Sequence, residues 1–367
     1  MNRLIAGSAT LVLALAGCSP GGQGPPVETR VVDAREVELL PVTSRFVSVR
    51  DVVLDGESIW VLDGAPPFIT RVSLRDGTSD QFGGEGQGPG EFLTPWAIQP
   101  ADGPIDGSIR VWDQGNDRVS TFDPRGNLLG SERLSEDGRI RARTDLRDVS
   151  YADPFRVRST GAELIVGHFP GRIDRTADLV MGSLQRADAR LEPGPELTRF
   201  VDHMTKSASG LREWAAVPFW DVCEGAVVLW SPVSAEVVWL DLRGEIRARA
   251  PVEEKPAPVS LEDIETYLSW MARLELGPDY EDARIDYSSM AKSNRERFAE
   301  RAPIATDLRC QSGTEAWLRQ FDTSSDPLGR GQTWLQISAN GTRRKVRFPV
   351  GFTPALFTEE GAFGVLE

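Results

Sequence analysis

The sequence predicts an all-β protein, a six-bladed β-propeller that is closed by strands from both termini and carries a helical insertion at about 258–301. Three observations lead to this prediction. A short β-rich unit recurs along the chain, a glycine-rich segment separates two copies of that unit, and residues 252–302 replace the β pattern with helical spacing. Repeats of this length are typical of architectures in which similar sheets are stacked side by side.

The repeating unit consists of a short apolar strand that often carries a tryptophan, a polar turn, a second β-rich strand, and a turn that ends in glycine. The clearest copies span 109–126 and 227–244, and Trp112 and Trp230 precede the turn glycine by the same number of residues. The other copies, in chain order, begin at 58, 163 and 315. Apolar residues that alternate with polar ones predict half-buried strands, and the glycines allow tight reversals.

A single antiparallel sheet of this kind cannot bury both of its faces. Stacking several sheets radially buries the faces and leaves only short exposed edges, which is the propeller solution. Four tryptophans then fall at equivalent positions in their blades: Trp60, Trp112, Trp230 and Trp317. We therefore predict that they are packing residues rather than a platform for stacking sugars.

The glycine-rich segment at 81–92, with the letters QFGGEGQGPGEF, is predicted to be a structural link between two blades. It lacks the Gly-Lys-Ser/Thr of a phosphate-binding loop and the spacing of a dinucleotide-binding turn. It resembles the G-x-GPGEF link of a family of six-bladed β-propeller lipoproteins of bacteria, and residues 112–126 resemble a repeat of the related NHL propellers. The resemblance covers 45–350 and implies six blades.

The chain departs from that family at its C-terminal end. After residue 352 only two short apolar stretches remain, 355–357 and 362–366, so two strands of a last blade are missing. The stretch Glu28–Thr43, which contains Arg30-Val31-Val32 and Val37-Glu38-Leu39-Leu40, could supply them. This gap predicts that strands from both termini close the ring.

Residues 1–17 are predicted to be a lipoprotein signal peptide. Arg3 precedes an apolar stretch at 4–15 that is too short to span a bilayer core, which needs about 20 residues. The stretch ends in Leu-Ala-Gly-Cys18, which resembles the lipobox of bacterial lipoproteins and implies cleavage before Cys18 and lipid attachment to its thiol. An ordinary secretory signal with a chance cysteine is the alternative.

The lipobox resemblance also implies an extracytoplasmic, lipid-anchored location. By the sorting rule of that family, Ser19 favours the outer membrane. Residues 18–29 are mostly glycine, proline and polar side chains, so we predict a flexible tether there and the propeller at 30–367.

The formal net charge of −14 argues against nucleic acid and against peripheral contact with anionic lipid. Besides Cys18, the chain has two cysteines, Cys223 and Cys310. A compartment outside the cytoplasm permits a disulfide between them. Two buried thiols without a bond are the alternative.

The helical insertion begins after a run of prolines, with Ser260 as the predicted N-cap. Helical spacing of apolar residues predicts a helix that ends at Gly277-Pro278, and a second helix is predicted at about 288–301. We expect the apolar stripe to pack on the propeller. The alternative is a lid or a partner-binding element on one face of the ring.

Catalytic and metal-binding motifs are scarce. The two histidines, His168 and His203, lie far apart in sequence, and no zinc, EF-hand or nucleophile-elbow motif occurs. Asp63 and Asp113 directly follow predicted strands. They could line the central funnel and bind a cation, or they could accept hydrogen bonds from turn amides, as such residues more often do.

These observations favour a non-enzymatic binding or scaffold protein of the cell envelope that needs no cofactor. Its partner would be an envelope protein or a small ligand. The alternative is a calcium-dependent hydrolase or lyase with its site in the funnel, which requires three or more oxygen ligands that converge on the axis. A periplasmic sensor of a small ligand is a third, weaker hypothesis.

Overall fold

The computed structural model describes residues 4–7, 29–33, 38–39, 46–47, 49–101, 105–136, 157–159, 164–168, 180–203, 213–223, 225–276, 280, 284–323, 330–359 and 361–366. Three short strands come first: β1 (Leu4–Gly7), β2 (Thr29–Val31) and β3 (Glu38–Leu39). The rest of the described chain is mainly β-structure, arranged as a propeller of five blades with two short helices.

Each blade is an antiparallel meander of four consecutive strands. Blade 1 consists of β4 (Val49–Asp55), β5 (Ser58–Asp63), β6 (Ile69–Ser73) and β7 (Ser79–Phe82). Blade 2 consists of β8 (Pro95–Pro100), β9 (Ile109–Asp113), β10 (Arg118–Phe122) and β11 (Leu128–Arg133). Blade 3 consists of β12 (Val157–Ser159), β13 (Leu164–His168), β14 (Val180–Ala187) and β15 (Pro193–His203).

Blade 4 consists of β16 (Phe219–Cys223), β17 (Ala226–Ser231), β18 (Glu236–Asp241) and β19 (Ile246–Pro251). Blade 5 consists of β20 (Ala305–Ser312), β21 (Glu315–Phe321), β22 (Arg330–Ser338) and β23 (Arg343–Arg347). The last two strands are β24 (Phe352–Phe357) and β25 (Ala362–Leu366). All five repeat copies found in the sequence coincide with the second and third strands of a blade, which confirms them.

The first strand of each blade lies innermost. Strands β4, β8, β12, β16 and β20 contact one another in that order, and β24 contacts both β20 and β4. The innermost strands therefore form a closed circuit around a central axis. Successive blades are joined at one face of the ring, because a four-stranded meander returns the chain to the end at which it entered.

A terminal sheet, made of β24, β25, β1 and β3 in that order, lies between blade 5 and blade 1. On one side Phe352 and Phe357 pack in a cluster with Trp317 of blade 5. On the other side Phe363 packs with Ile59 of blade 1. The predicted count of six blades is not confirmed, because this sheet is not a meander of consecutive strands.

The two N-terminal stretches were predicted to enter the last blade together, and the structure separates them. Strand β3 belongs to the terminal sheet, next to β1. Strand β2 instead pairs in parallel with β23, at the outer edge of blade 5. Val32, just after β2, is buried in the cluster of Trp334 and Val346, and this apolar contact holds the stretch on blade 5.

The glycine-rich segment joins blade 1 to blade 2, which confirms its prediction as a structural link. Phe92 at its end is fully buried, with its ring centroid 6.1 Å from that of Phe68 and 5.7 Å from that of Phe122. Arg118 of blade 2 donates a hydrogen bond of 2.8 Å to the carbonyl of Gly88. The loop is thus fixed by an aromatic anchor and a guanidinium.

The four equivalent tryptophans are buried, as the packing prediction requires. Trp60 and Trp112 expose none of their surface, Trp230 exposes 1% and Trp317 exposes 6%. Side chains of this size contribute much of the apolar area that a blade interface buries. None of the four offers a face for stacking a sugar.

The helical insertion connects β19 to β20 and contains α1 (Leu261–Leu276) and α2 (Tyr287–Asn294), followed by a 3₁₀ turn at Arg295–Arg297. The second helix is shorter than predicted, because the chain becomes extended at Phe298, which is buried and bridges to Glu213. No helix in the described part of the chain is long and apolar enough to cross a membrane.

The start of α1 is a reciprocal cap. The backbone N–H of Asp263 donates to Ser260 Oγ at 3.1 Å, and the backbone N–H of Ser260 donates to Asp263 Oδ2 at 2.9 Å. Partial burial opposes ionisation of Asp263, but hydrogen bonds from Ser260 and Thr323 outweigh it and lower the pKa of the carboxyl. Thr323 follows β21, so its hydrogen bond to Asp263 ties the start of α1 to blade 5.

The apolar side of the insertion packs on the propeller, which confirms that expectation. Ile264 and Tyr267 of α1 form a buried cluster with Trp214, which precedes blade 4, and with Phe298. The Trp214 ring lies 5.1 Å from that of Phe298 and 5.3 Å from that of Phe321 at the end of β21, centroid to centroid. The helices are thus held over blades 4 and 5.

Two turn glycines allow a matched test of blade packing. Gly244 and Gly341 occupy the same turn of blades 4 and 5, with φ of +85° and +86°. A Cβ on Gly244 would lie 2.1 Å from the carbonyl oxygen of Leu197 in blade 3, whereas a Cβ on Gly341 meets nothing within 4 Å. Only the first glycine is needed for close contact between blades.

We expect Gly341→Ala to lower the free energy of unfolding by about 1–2 kcal/mol, the cost of a left-handed alanine. Gly244→Ala should lower it by about 3–4 kcal/mol, because the clash with Leu197 adds to that cost. Urea unfolding of both variants measures the difference. Equal losses would mean that blades 3 and 4 do not approach as the structure places them.

Candidate functional site

Three aspartates recur on the innermost strands, and they form the core of the candidate site. Asp51, Asp221 and Asp307 are each the third residue of their strand, in blades 1, 4 and 5. Each is buried, with 7–9% of its surface exposed. Because charged side chains are rarely buried without partners, this recurrence marks the axis as a specialised region.

Two of these aspartates accept hydrogen bonds from the next blade. Asp51 Oδ2 accepts from the backbone N–H of Ile98 on β8 at 3.1 Å. Asp221 Oδ2 accepts from the backbone N–H of Cys310 on β20 at 2.9 Å. An innermost strand is a sheet edge with unpaired N–H groups, and a buried N–H needs an acceptor. The aspartates supply that acceptor across the blade interface.

Arg158 on β12 joins the two aspartates. Its Nη1 lies 3.2 Å from both carboxylate oxygens of Asp51, and its Nε lies 2.9 Å from Asp221 Oδ1. The side chain of Arg158 is 14% exposed. One guanidinium thus links blades 1, 3 and 4, and we call Asp51, Arg158 and Asp221 the axial brace.

Blade 5 adds two further contacts near the axis. Asp307 is paired with Arg309 of its own strand at 2.9 Å. A disulfide joins Cys223, at the end of β16, to Cys310 on β20, with the Cα atoms 5.5 Å apart. This Cα separation is usual for a disulfide. The bond fastens the innermost strands of blades 4 and 5 beside the hydrogen bond from Cys310 to Asp221.

The chemistry open to the brace is limited by these bonds. A carboxylate that acts as a general base or nucleophile must present an oxygen to the substrate. Here the carboxylates accept from a guanidinium and from backbone amides of neighbouring blades. Calcium takes six to eight oxygen ligands, and a guanidinium between two carboxylates does not fit such a site. Within the described ranges, no three His, Cys, Asp or Glu residues come together as metal ligands.

Asp63 and Asp113, the two aspartates named from the sequence as possible funnel residues, accept hydrogen bonds from backbone amides of loops. Asp63 accepts from the backbone N–H groups of Val47 and Gly64, both at 2.7 Å. Asp113 accepts from the backbone N–H of Thr94 at 2.8 Å, beside two other backbone amides. These are the turn-amide contacts that were the alternative to a funnel-lining role. Both residues lie where blades are joined, not in the axial brace.

The remaining predicted residues are more dispersed. Cys18 lies outside the described residues. His168 ends β13 and His203 ends β15, and the two strands lie on either side of β14. The structure therefore assigns neither histidine to the axial brace.

The axial aspartates were not among the residues predicted from the sequence, although the sequence contains a signal for them. The segments at 49–52, 219–222 and 305–308 share an aspartate at the third position, followed by Val or Leu. The repeat is recognisable mainly by its apolar strand, often with a tryptophan, which is the second strand of each blade. The innermost strands, including the one that carries Arg158, lie outside this recognisable part of the repeat.

Among solved structures, the chain is similar to a member of the DUF4221 family from Bacteroides vulgatus, with 10% identity, 88% of this chain and 92% of that chain covered, and a TM-score of 0.47. It is similar to a Bacteroides fragilis protein named as exported, with 12% identity, 84% and 74% covered, and a TM-score of 0.44. A streptogramin B lyase gives 12% identity, 92% and 85% covered, and a TM-score of 0.41. No protein-family model and no curated protein matches the chain.

The brace can be tested against an exposed ion pair. Arg158→Gln should lower the free energy of unfolding by about 3 kcal/mol, because it leaves two buried carboxylates without their cation. Arg249→Gln should cost less than about 0.5 kcal/mol, since Arg249 is 51% exposed in its pair with Glu236. Urea unfolding compares them, and similar small losses would show that Arg158 does not brace the blades.

Proposed function

We propose that this chain is a lipid-anchored protein of the bacterial cell envelope whose propeller acts as a non-catalytic binding or scaffold domain. The axial brace is the observation that carries this proposal. In the brace, the central carboxylates bind the neighbouring blades and hold them together. A ring that is fixed at its axis in this way can present its faces and its rim to partners. The fold by itself does not decide function, since propellers serve many.

The face that joins successive blades is the surface that we propose for recognition. It carries the helical insertion, whose inner side packs on Trp214 and Phe321. Apolar side chains remain on the outer side of the helices, where Leu261, Leu276 and Met290 are exposed. We propose that these side chains contribute to a protein-protein contact. An envelope protein is therefore the partner that we favour over a small ligand.

We also propose that the terminal sheet takes the place of a sixth blade. Its packing against Trp317 on one side and Ile59 on the other supports this proposal. If residues 1–17 are removed on export, β1 is lost from the outer edge of β25. Strand β3, which lies beyond β1 in the sheet, could then pair with that edge.

The anchor is the part of the proposal that rests on sequence. The Leu-Ala-Gly-Cys18 pattern supports lipid attachment, residues 18–29 would form the tether, and Ser19 favours the outer membrane. Several acyl chains on one residue are needed for stable attachment, because a single chain binds membranes only marginally.

We expect Cys18→Ser to move the protein from the membrane fraction to a form that is not anchored. Without the thiol no diacylglyceryl group can be attached. Fractionation of the producing cells measures the distribution, and mass spectrometry of the N-terminal peptide measures the lipid. Wild-type protein that carries no lipid on Cys18, or a Cys18→Ser variant that stays in the membrane, would contradict the anchor.

The same pair of proteins tests the binding role. After chemical cross-linking in cells, the wild type should co-purify with one envelope partner in near-stoichiometric yield. The yield should fall for Cys18→Ser, because the anchor concentrates the propeller beside its partner. Recovery of nothing above the background of an unrelated lipoprotein would count against a binding or scaffold function.

A further inference from the structure

The outer strands of blades 4 and 5 are basic, although the chain as a whole is acidic. Strand β23 has the sequence RRKVR, with four cations in five residues. Strand β19 has the sequence IRARAP, with two arginines. Neither strand contains an acidic residue, whereas the formal net charge of the whole chain is −14. We call β19, β23 and the adjoining β2 the basic rim.

The opposite side of the ring differs. In the circuit of innermost strands, blade 2 lies across the axis from blade 5, with the terminal sheet counted as one position. The outer strand of blade 1 carries an aspartate, Asp80, and that of blade 2 carries Glu132 beside Arg133. The positive charge is therefore concentrated on one side of the ring rather than distributed evenly.

Acidic neighbours offset part of this charge. Arg343 pairs with Glu253 at 2.7 Å and Lys345 pairs with Glu254 at 3.0 Å. The side chains of Arg247 and Arg249 remain more than half exposed in their pairs. Arg347 at the end of β23 is also exposed. The exposed cations of the rim are therefore Arg247, Arg249 and Arg347, whereas the side chains of Arg343 and Lys345 are only 18% and 24% exposed.

Arg344 and Arg30 place two cations close together in this rim. Its guanidinium lies 5.9 Å from the ring centroid of Trp317, and its Nε is buried and has no hydrogen-bond partner in the described part of the chain. Burial, and then the nearby charge of Arg30, lower the pKa of Arg344, while Glu315 opposes this shift. A bound anion would reduce the repulsion between two cations that are held close together.

The tether leads to the same rim. Strand β2 begins at Thr29 and pairs with β23, so the chain that runs from Cys18 reaches the propeller at the basic rim. A flexible linker of this length has a root-mean-square span of about 18 Å. An anchor at Cys18 would therefore hold β2 and β23 close to the lipid headgroups.

We propose that the basic rim lies against the anionic headgroups of the membrane that holds the anchor, with the ring standing on blades 4 and 5. This inference rests on the proposed lipid anchor. It differs from the expectation that a net negative charge prevents contact with anionic lipid. A membrane surface interacts mainly with the protein charges that lie within a Debye length of about 8–10 Å. The docked ring would present its helical face sideways, open to partners on the same membrane.

The test uses the full lipidated protein reconstituted into vesicles. An environment-sensitive fluorophore is placed on Val31→Cys, at a position 65% exposed in β2, or on Leu129→Cys, 48% exposed in β11 of blade 2. Vesicles contain phosphatidylcholine alone or phosphatidylcholine with phosphatidylglycerol. We expect a blue shift of the label at 31 with phosphatidylglycerol only, no shift at 129, and loss of the shift at 1 M salt, where the Debye length is about 3 Å.

Charge variants test the cause of the shift. Arg247→Gln with Arg347→Gln should lower the docking equilibrium about 25-fold, or about fivefold for each cation. The matched control, Arg125→Gln with Arg133→Gln on blade 2, has the same net charge and should dock as the wild type does. A shift that is equal at 31 and 129, or that the control pair lowers as much, would overturn the proposal.

Flotation separates this inference from the anchor itself. Protein that fails to float with vesicles of either composition would contradict the anchor. Protein that floats but shows no shift at position 31 with phosphatidylglycerol would contradict the basic rim. A shift that requires an added envelope protein rather than anionic lipid would likewise overturn the rim as a membrane surface.

Discussion

A ring of stacked sheets is stable only if it closes, and closure is the constraint on which this structure depends. Each blade buries its two faces against its neighbours, so a gap anywhere would expose two apolar faces at once. Here the gap between blade 5 and blade 1 is filled by the terminal sheet. Phe357 lies against Trp317 on one side, with ring centroids 4.4 Å apart, and Phe363 packs into blade 1 on the other.

At the axis, closure of the ring leaves backbone N–H groups of the innermost strands without partners in their own sheet, and two aspartates accept hydrogen bonds from such groups. The innermost strands turn their unpaired N–H groups inward, and Asp51 and Asp221 accept from the following blade. Arg158 then binds both carboxylates and spans three blades. The central charges thus hold the blades together. We therefore place the proposed binding surfaces on the faces and the rim of the ring rather than at its axis.

Much of the fold could be predicted from the sequence, because periodicity and turn residues act locally. The matching positions of Trp112 and Trp230 located two blades, and the helical insertion followed from capping and apolar spacing at Ser260 and beyond. The association of β2 with blade 5 could not be predicted, because it depends on where Val32 finds a buried site. The short second helix was missed for the same reason, since Phe298 leaves the helix to join a tertiary cluster.

The candidate site was less predictable than the fold. Asp63 and Asp113 were found because they follow strands that carry a tryptophan, and their carboxylates hold loops. The brace requires three residues from blades far apart in sequence, and only the ring brings them together. The basic rim could not be predicted from the net charge, because a sum over the chain does not show that β19 and β23 are the outer strands of adjacent blades.

The measurement that tests ring closure most directly is the stability of Phe363→Ala in the full chain, by urea unfolding. Phe363 is 7% exposed and near the C-terminus, where an unpacked strand would tolerate truncation. Closure by the terminal sheet predicts a loss of about 3–4 kcal/mol. Leu129→Ala, at an exposed position, should change stability by less than about 1 kcal/mol. A loss at Phe363 no larger than that at Leu129 would contradict a ring sealed by the terminal sheet.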